Sequence, residues 1–136
     1  MENYTLESDI RVLCVEATSF PEGVMEAYDK LHSVIPKVDG RKVFGISRPE
    51  GGNSIIYKAA AEEMQPEESE KLNLETFTIR KGEYASIMIR DFMTDIPSVG
   101  RAFQEILHTQ KVDPQGACIE WYLNDKDVQC MVRLVQ

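Results

Sequence analysis

The segment Ile119-Glu120-Trp121-Tyr122-Leu123 places a carboxylate inside an otherwise apolar strand near the C-terminus. Successive side chains of a β-strand point to opposite faces of its sheet. The two sets are Ile119, Trp121 and Leu123 on one face, and Cys118, Glu120 and Tyr122 on the other. The first set is predicted to be core. The second joins an acid to an aromatic ring, which fits either the solvent side of an antiparallel sheet or a groove that needs a charge.

Composition predicts a single soluble globular domain over residues 1–136, with 43% hydrophobic and 28% charged residues. A chain of this length can bury a core without covalent staples. The 23 acidic and 15 basic side chains give a net charge of -8. Direct nucleic-acid binding is therefore not expected, because neutralising phosphates requires a clustered excess of Lys and Arg.

The sequence contains no pattern typical of a membrane span, of a signal peptide or of a metal site. No apolar run is long enough to cross a bilayer, and the first ten residues do not read as a signal peptide, so a cytoplasmic protein without membrane contact is predicted. His32 and His108 fall in different helices, and no metal-binding spacing occurs, so neither a metal nor a cofactor is expected. Cys14, Cys118 and Cys130 form no Cys-x-x-Cys pair and are interpreted as small buried hydrophobes.

Periodicity and turn residues divide the chain into two similar halves. The first half is predicted to contain a strand at 11–17, a helix at 21–35, strands at 42–48 and 55–62 joined by a turn at 49–53, and a surface linker at 65–71. The second half is predicted to contain strands at 74–80 and 84–90, a helix at 96–110, and a closing hairpin of strands 117–123 and 128–135. Met25, Tyr28 and Phe103 are predicted core residues of the helices.

The repeated order strand, helix, hairpin predicts an α+β fold. Two pseudo-symmetric strand-helix-strand-strand units would form one antiparallel sheet, because neither unit can cover both faces of its own strands. The two helices are predicted on one face, and a shared ligand groove on the other.

This order, the step from Ile79 to Tyr84, and the ending Ile119 to Asp125 resemble the effector-binding domain family. That family has the GyrI-like fold of gyrase-inhibitor-like proteins and of the ligand modules of some AraC-type and MerR-type transcription regulators. The resemblance extends from about Ile10 to Val135. It leaves no room for a DNA-binding domain, so a regulatory role would need a protein partner.

The resemblance implies a groove for small molecules, often lipophilic cations, with Glu120 as counter-charge and Tyr122 beside it. Tyr57 matches a family aromatic on the first hairpin, and the internal repeat sets Ser47 opposite this pair. For Trp121 both ligand contact and packing against a helix stay open. The sequence departs from the family in two places: Phe103 stands where the family commonly has tryptophan, and the first strand of the family's opening pair is not evident before Leu13.

Two other functions stay open. Some relatives are hydrolases, and Glu120 beside a tyrosine hydroxyl can act as general base and acid. Alternatively, a gyrase-inhibitor-like domain acts by contacting a protein partner, including a second copy of itself, and an acidic surface suits a basic partner. A deep, aromatic-lined pocket that holds Glu120 would favour ligand binding, whereas a filled or flat sheet face would favour a protein partner.

Overall fold

The computed structural model describes residues 1–36, 39–49 and 54–136. The chain divides into a central unit, Ile10–Ile79, and a terminal unit, which combines Met1–Asp9 with Arg80–Gln136. The helices and strands of the described residues are, in chain order, β1 (Glu2–Leu6), β2 (Ile10–Glu16), α1 (Val24–Val34), β3 (Val43–Pro49), β4 (Ile55–Glu62), α2 (Glu68–Leu72), β5 (Glu75–Ile79), β6 (Gly82–Ile89), α3 (Pro97–Thr109), β7 (Cys118–Tyr122) and β8 (Val128–Arg133).

The central unit contains an antiparallel sheet in the order β3-β4-β2-β5. Helix α1 packs Ala27 and Leu31 against Ala59 and Ala61 of β4. The alternate residues of these strands point the other way, and they are also buried, as Phe44 and Val12 show. Both faces of this sheet are therefore covered and carry buried side chains.

The terminal unit has an antiparallel sheet in the order β1-β6-β8-β7. Helix α3 buries three side chains against one face of this sheet: Ala102, Phe103 and Ile106. The cluster includes Val128 and Cys130 of β8. On the opposite face, Tyr84, Ile119 and Met131 are buried as well.

The predicted order of elements is present in both units. In the central unit, β2 is followed by α1 and the β3–β4 hairpin, and in the terminal unit β6 is followed by α3 and the β7–β8 hairpin. Each unit gains one further strand at its edge. Strand β1, which the sequence did not reveal, pairs with β6, and β5 pairs with β2. The α+β class and the antiparallel pairing are thus confirmed.

The surface linker predicted at 65–71 is wrong, because this segment forms α2 and buries Glu68. Arg41 donates to Glu68 from Nη2 to Oε2 at 2.9 Å and from Nη1 to Oε1 at 3.2 Å. Glu68 also accepts the backbone N–H of Met64 at 2.7 Å and that of Gln65 at 3.0 Å. The Arg41 hydrogen bond is the largest cause that lowers the Glu68 pKa to about 2, against the opposing effect of burial.

The core assignment of Met25 is also wrong, since this residue is 70% exposed. Helix α1 buries Ala27 and Leu31. Met25 lies two residues before Ala27, which at about 100° per residue turns it away from the buried side by about 200°. The apolar periodicity counted from Val24 and Tyr28 shows roughly which side of α1 is buried. It does not show which residues next to that side are exposed.

The cysteine prediction is confirmed for Cys14 and Cys130, which are buried, while Cys118 is partly exposed. Burial is the main cause that raises the pKa of the Cys14 and Cys130 thiols to about 12. The turn predicted at 49–53 falls largely on Glu50–Asn53, outside the described residues. In the part of the chain that is described, no helix has the length and apolar character needed to cross a membrane.

Phe103→Ala is expected to lower the free energy of unfolding by roughly 3 to 5 kcal/mol, because it removes a core ring between α3 and the terminal sheet. Leu107→Ala, at an exposed position of the same helix, is the control and should change stability by less than about 1 kcal/mol. Urea unfolding followed by circular dichroism measures both. A similar loss in the two variants would contradict the packing described for α3.

Glu68→Gln is expected to destabilise the fold by roughly 3 kcal/mol at neutral pH, because it leaves the buried Arg41 without its charge partner. The folded-state pKa of about 2 lies below the ordinary value of 4.5. Ionised Glu68 therefore stabilises the fold above the ordinary value, and this contribution is lost as pH falls toward 2. Urea titrations at pH 7, 5 and 3 measure the free energy of unfolding. In the Gln variant this free energy should fall less between pH 7 and pH 3 than in the wild type, because the Glu68 contribution is absent throughout. Exposed Glu70→Gln serves as control, and an unchanged acid profile in Glu68→Gln would contradict the assignment.

Candidate functional site

Glu120 lies on the sheet face that packs against α3. Its strand neighbours Cys118 and Tyr122 both join the apolar cluster around Phe103, and alternation puts Glu120 on their side of β7. The prediction of a site on the face opposite the helices is therefore wrong for this residue. Two-residue periodicity identified which side chains share a face, but not which face the helix would cover.

Glu120 is buried, with 8% of the residue exposed. Its Oε1 accepts a hydrogen bond from the Tyr122 hydroxyl at 2.5 Å. The two residues are two positions apart on one strand, which places their side chains about 7 Å apart at the backbone and lets the longer phenol reach back to the acid. A buried carboxylate held by a phenol hydroxyl has the chemistry to receive a charged ligand or to transfer a proton.

Phe92 extends this arrangement from a separate part of the chain. Its ring lies 5.5 Å from that of Tyr122, with 57° between the planes. Phe92 belongs to a short 3-10 turn, Phe92–Thr94, on the way from β6 into α3. Two residues near this turn, Met93 and Ile96, are about 60% exposed and present apolar surface. An acid, a phenol and a second ring are thus adjacent within the terminal unit.

The surroundings of Glu120 are weakly solvated. Cys130 lies directly opposite Glu120 across the β7–β8 pair. Burial raises the pKa of the Cys130 thiol to about 12, and the negative charge of Glu120 adds to the rise. A second negative charge is therefore disfavoured at this position, which matches a site built around a single carboxylate.

Trp121 points away from Glu120, as strand alternation predicts. Its ring meets Tyr4 of β1 edge-to-face at a centroid distance of 6.1 Å. The residues facing α3 are those of the other side of β7, so of the two alternatives left open for Trp121, packing against α3 is wrong. Tyr4 was not anticipated because β1 itself was not.

In the central unit, Ser47 and Tyr57 are direct cross-strand partners on β3 and β4. Tyr57 shares the α1 side of β4 with Ala59. The Tyr28 hydroxyl donates to the carbonyl of Phe44 at 2.9 Å, and the hydroxyls of Tyr28 and Tyr57 are hydrogen-bonded at 2.8 Å. Ser47 is half-buried beside Tyr57.

Tyr57 itself is only 2% exposed. The ring of Phe20 stacks on it at 5.5 Å with 22° between the planes, and Phe20 is 41% exposed. Phe20 is thus the more accessible ring of the pair. Sequence reasoning missed both Phe20 and Phe92, since each lies in the loop that enters a helix, where neither strand nor helix periodicity applies. An aromatic residue shortly before each predicted helix was the available signal.

Among the described residues, no group of three His, Cys, Asp or Glu side chains is arranged to hold a metal ion. The terminal unit brings together a carboxylate, a phenol and aromatic surface. Such a combination can receive an organic cation, and it can also transfer a proton.

Comparison with solved structures places the fold in a recurring class. A hydrolase from Listeria innocua is 13% identical with a TM-score of 0.64, covering 98% of this chain and 90% of the other. SAV2435 bound to tetraphenylphosphonium is 11% identical with a TM-score of 0.66, covering 98% and 94%. A Staphylococcus aureus protein assigned to bacterial transcription regulation is 10% identical with a TM-score of 0.58, covering 97% of each chain.

These likenesses establish a shared fold over nearly the whole chain. No family model matches the sequence, and no curated protein matches it either.

Proposed function

We propose that this protein is an effector-binding domain of the GyrI-like type, built on a pseudo-symmetric repeat, that binds lipophilic cations at Glu120. The observation that carries the proposal is Glu120, a residue 8% exposed on an apolar sheet face, whose carboxylate accepts the Tyr122 hydroxyl at 2.5 Å. The fold shared with a tetraphenylphosphonium-bound protein and with a protein of transcription regulation supports it.

The physical basis is the cost of desolvation. A carboxylate in weakly solvated surroundings attracts an opposite charge more strongly than it would in water. A lipophilic cation spreads its charge over a large apolar surface and so loses little hydration on entering such a site. The rings of Tyr122 and Phe92 each add about 0.5 to 2 kcal/mol where the cation lies over a ring face. A neutral apolar ligand gains neither the charge attraction nor the cation–π interaction when it approaches the acid.

The remaining predicted contacts belong to the central unit or to the other face. We propose Ser47 and Tyr57 as ligand contacts on the α1 side of the central unit, with the more accessible Phe20 beside them. Trp121 is left out of the proposed contact surface because it faces away from Glu120.

Glu120→Gln is expected to weaken tetraphenylphosphonium binding by about tenfold or more, since about 1.4 kcal/mol of lost attraction corresponds to tenfold. The amide keeps the shape and removes the charge. The neutral probe triphenylphosphine oxide should bind the variant as well as, or better than, the wild type. Isothermal titration calorimetry of both probes against both proteins measures the difference.

Glu105→Gln, an exposed site on α3, removes the same charge in the same unit and is expected to leave both affinities unchanged. Thermal unfolding of each variant shows whether the fold is intact. Equal losses for the cation and the neutral probe, or no loss for either, would contradict the role of Glu120 as counter-charge and would favour binding of a protein partner.

A hydrolase is the second candidate function. The hydrogen bond from the Tyr122 hydroxyl to Glu120 supports it, as a pair able to pass a proton, and so does the fold shared with the Listeria innocua hydrolase. Turnover of an activated ester that is absent in both Glu120→Gln and Tyr122→Phe would favour this function. A stoichiometric complex without turnover would favour binding.

A further inference from the structure

The turn that joins β7 to β8 holds the segment that carries Phe92. Asn124 forms the turn itself, because its Oδ1 accepts the backbone N–H of Lys126 at 2.7 Å and that of Asp127 at 2.9 Å. The Asp127 carboxylate accepts Nδ2 of Asn124 within the turn at 3.2 Å, and it also reaches a separate segment of the chain. Its Oδ1 accepts the backbone N–H of Asp91 at 3.1 Å, and its Oδ2 accepts Nη1 of Arg90 at 3.1 Å.

Two further hydrogen bonds fix the backbone at Phe92. Its N–H donates to the carbonyl of Lys126 at 2.8 Å, and its own carbonyl accepts the N–H of Asp95 at 3.0 Å. Asp91 adopts a left-handed conformation with φ of 55°, which the hydrogen bond to Asp127 helps to hold. Phe92 is therefore placed by contacts with the 124–127 turn, about 35 residues away in sequence.

The position of Phe92 affects Glu120 through the contact between the Phe92 and Tyr122 rings. Phe92 packs at 5.5 Å against Tyr122, whose hydroxyl donates to Glu120. A half-buried phenol without that ring beside it has more rotamers open to it and more water to bond with. Packing by Phe92 thus favours the rotamer in which Tyr122 reaches the carboxylate.

We propose that Phe92 determines specificity at the Glu120 site and that Asp127 is the positioning residue that holds it there. The inference rests on the proposed function for its ligand, an aromatic lipophilic cation, and deepens it by naming the wall of the site. Asp127 acts as a backbone acceptor for Asp91 and also accepts Nδ2 of Asn124, whereas the backbone N–H groups of the hairpin turn donate to Asn124.

The test is a double-mutant cycle with tetraphenylphosphonium as the probe. Phe92→Ala and Asp127→Ala are each expected to weaken binding by about 3- to 10-fold, the range of an aromatic pair. Because both changes act through one ring, the double variant should bind no more weakly than Phe92→Ala alone. Asp127→Asn, which keeps an acceptor oxygen, should stay within about twofold of the wild type on this scale. Exposed Asp125→Ala, in the same turn, is the charge-matched control.

A second readout needs no ligand. The Phe92 ring shifts the NMR signals of the Tyr122 ring, so Asp127→Ala should move those signals toward their positions in Phe92→Ala, and Asp127→Asn should not. Additive losses in the cycle, or unmoved Tyr122 signals in Asp127→Ala, would overturn the proposal. If the wild type fails to bind the probe, the proposed function fails and the specificity role of Phe92 with it, whereas the NMR comparison still decides whether Asp127 positions Phe92.

Discussion

Burying a carboxylate against apolar side chains is the constraint that shapes the terminal unit. An ionised group removed from water costs several kcal/mol unless hydrogen bonds or charges compensate it. Glu120 lies on the same side of β7 as the core beneath α3, and Tyr122 supplies a hydroxyl to it from the same strand. Phe92 then matters because its ring packs against this phenol, and the 124–127 turn matters because it holds the backbone of Phe92. The candidate site thus consists of one carboxylate whose burial is unfavourable, Glu120, and of the contacts that compensate this cost.

The central unit solves a similar problem differently. Its buried acid, Glu68, is satisfied by the Arg41 guanidinium and by two backbone N–H groups, and the result is a fixed helix. Glu120 receives a hydrogen bond from the Tyr122 hydroxyl on its own strand, and the Phe92 ring packs against that phenol. The two acids show that a buried carboxylate is stabilised by donors from very different parts of the chain: a distant arginine and local backbone for Glu68, and a strand neighbour for Glu120.

The sequence predicted most strands and both long helices, because their apolar residues recur at periods of two or of about 3.6. The hairpins were found for the same reason. The errors have a common origin. Helix α2 reads as a polar linker because it is ordered by Arg41, 27 residues before Glu68. Strand β1 was not evident because its stability comes from pairing with β6, about 80 residues later in the chain. Long-range partners of this kind leave no periodic signal.

At the candidate site, the sequence by itself determined that Glu120 and Tyr122 share a face and that Trp121 does not, since alternation along a strand is a local property. It also indicated an acid beside an aromatic ring as the unusual feature of the chain. Only the tertiary structure decided that this face is the one covered by α3, that Phe20 lies over Tyr57, and that Phe92 packs against Tyr122. These facts depend on how segments far apart in sequence pack, and packing is set by the whole unit together.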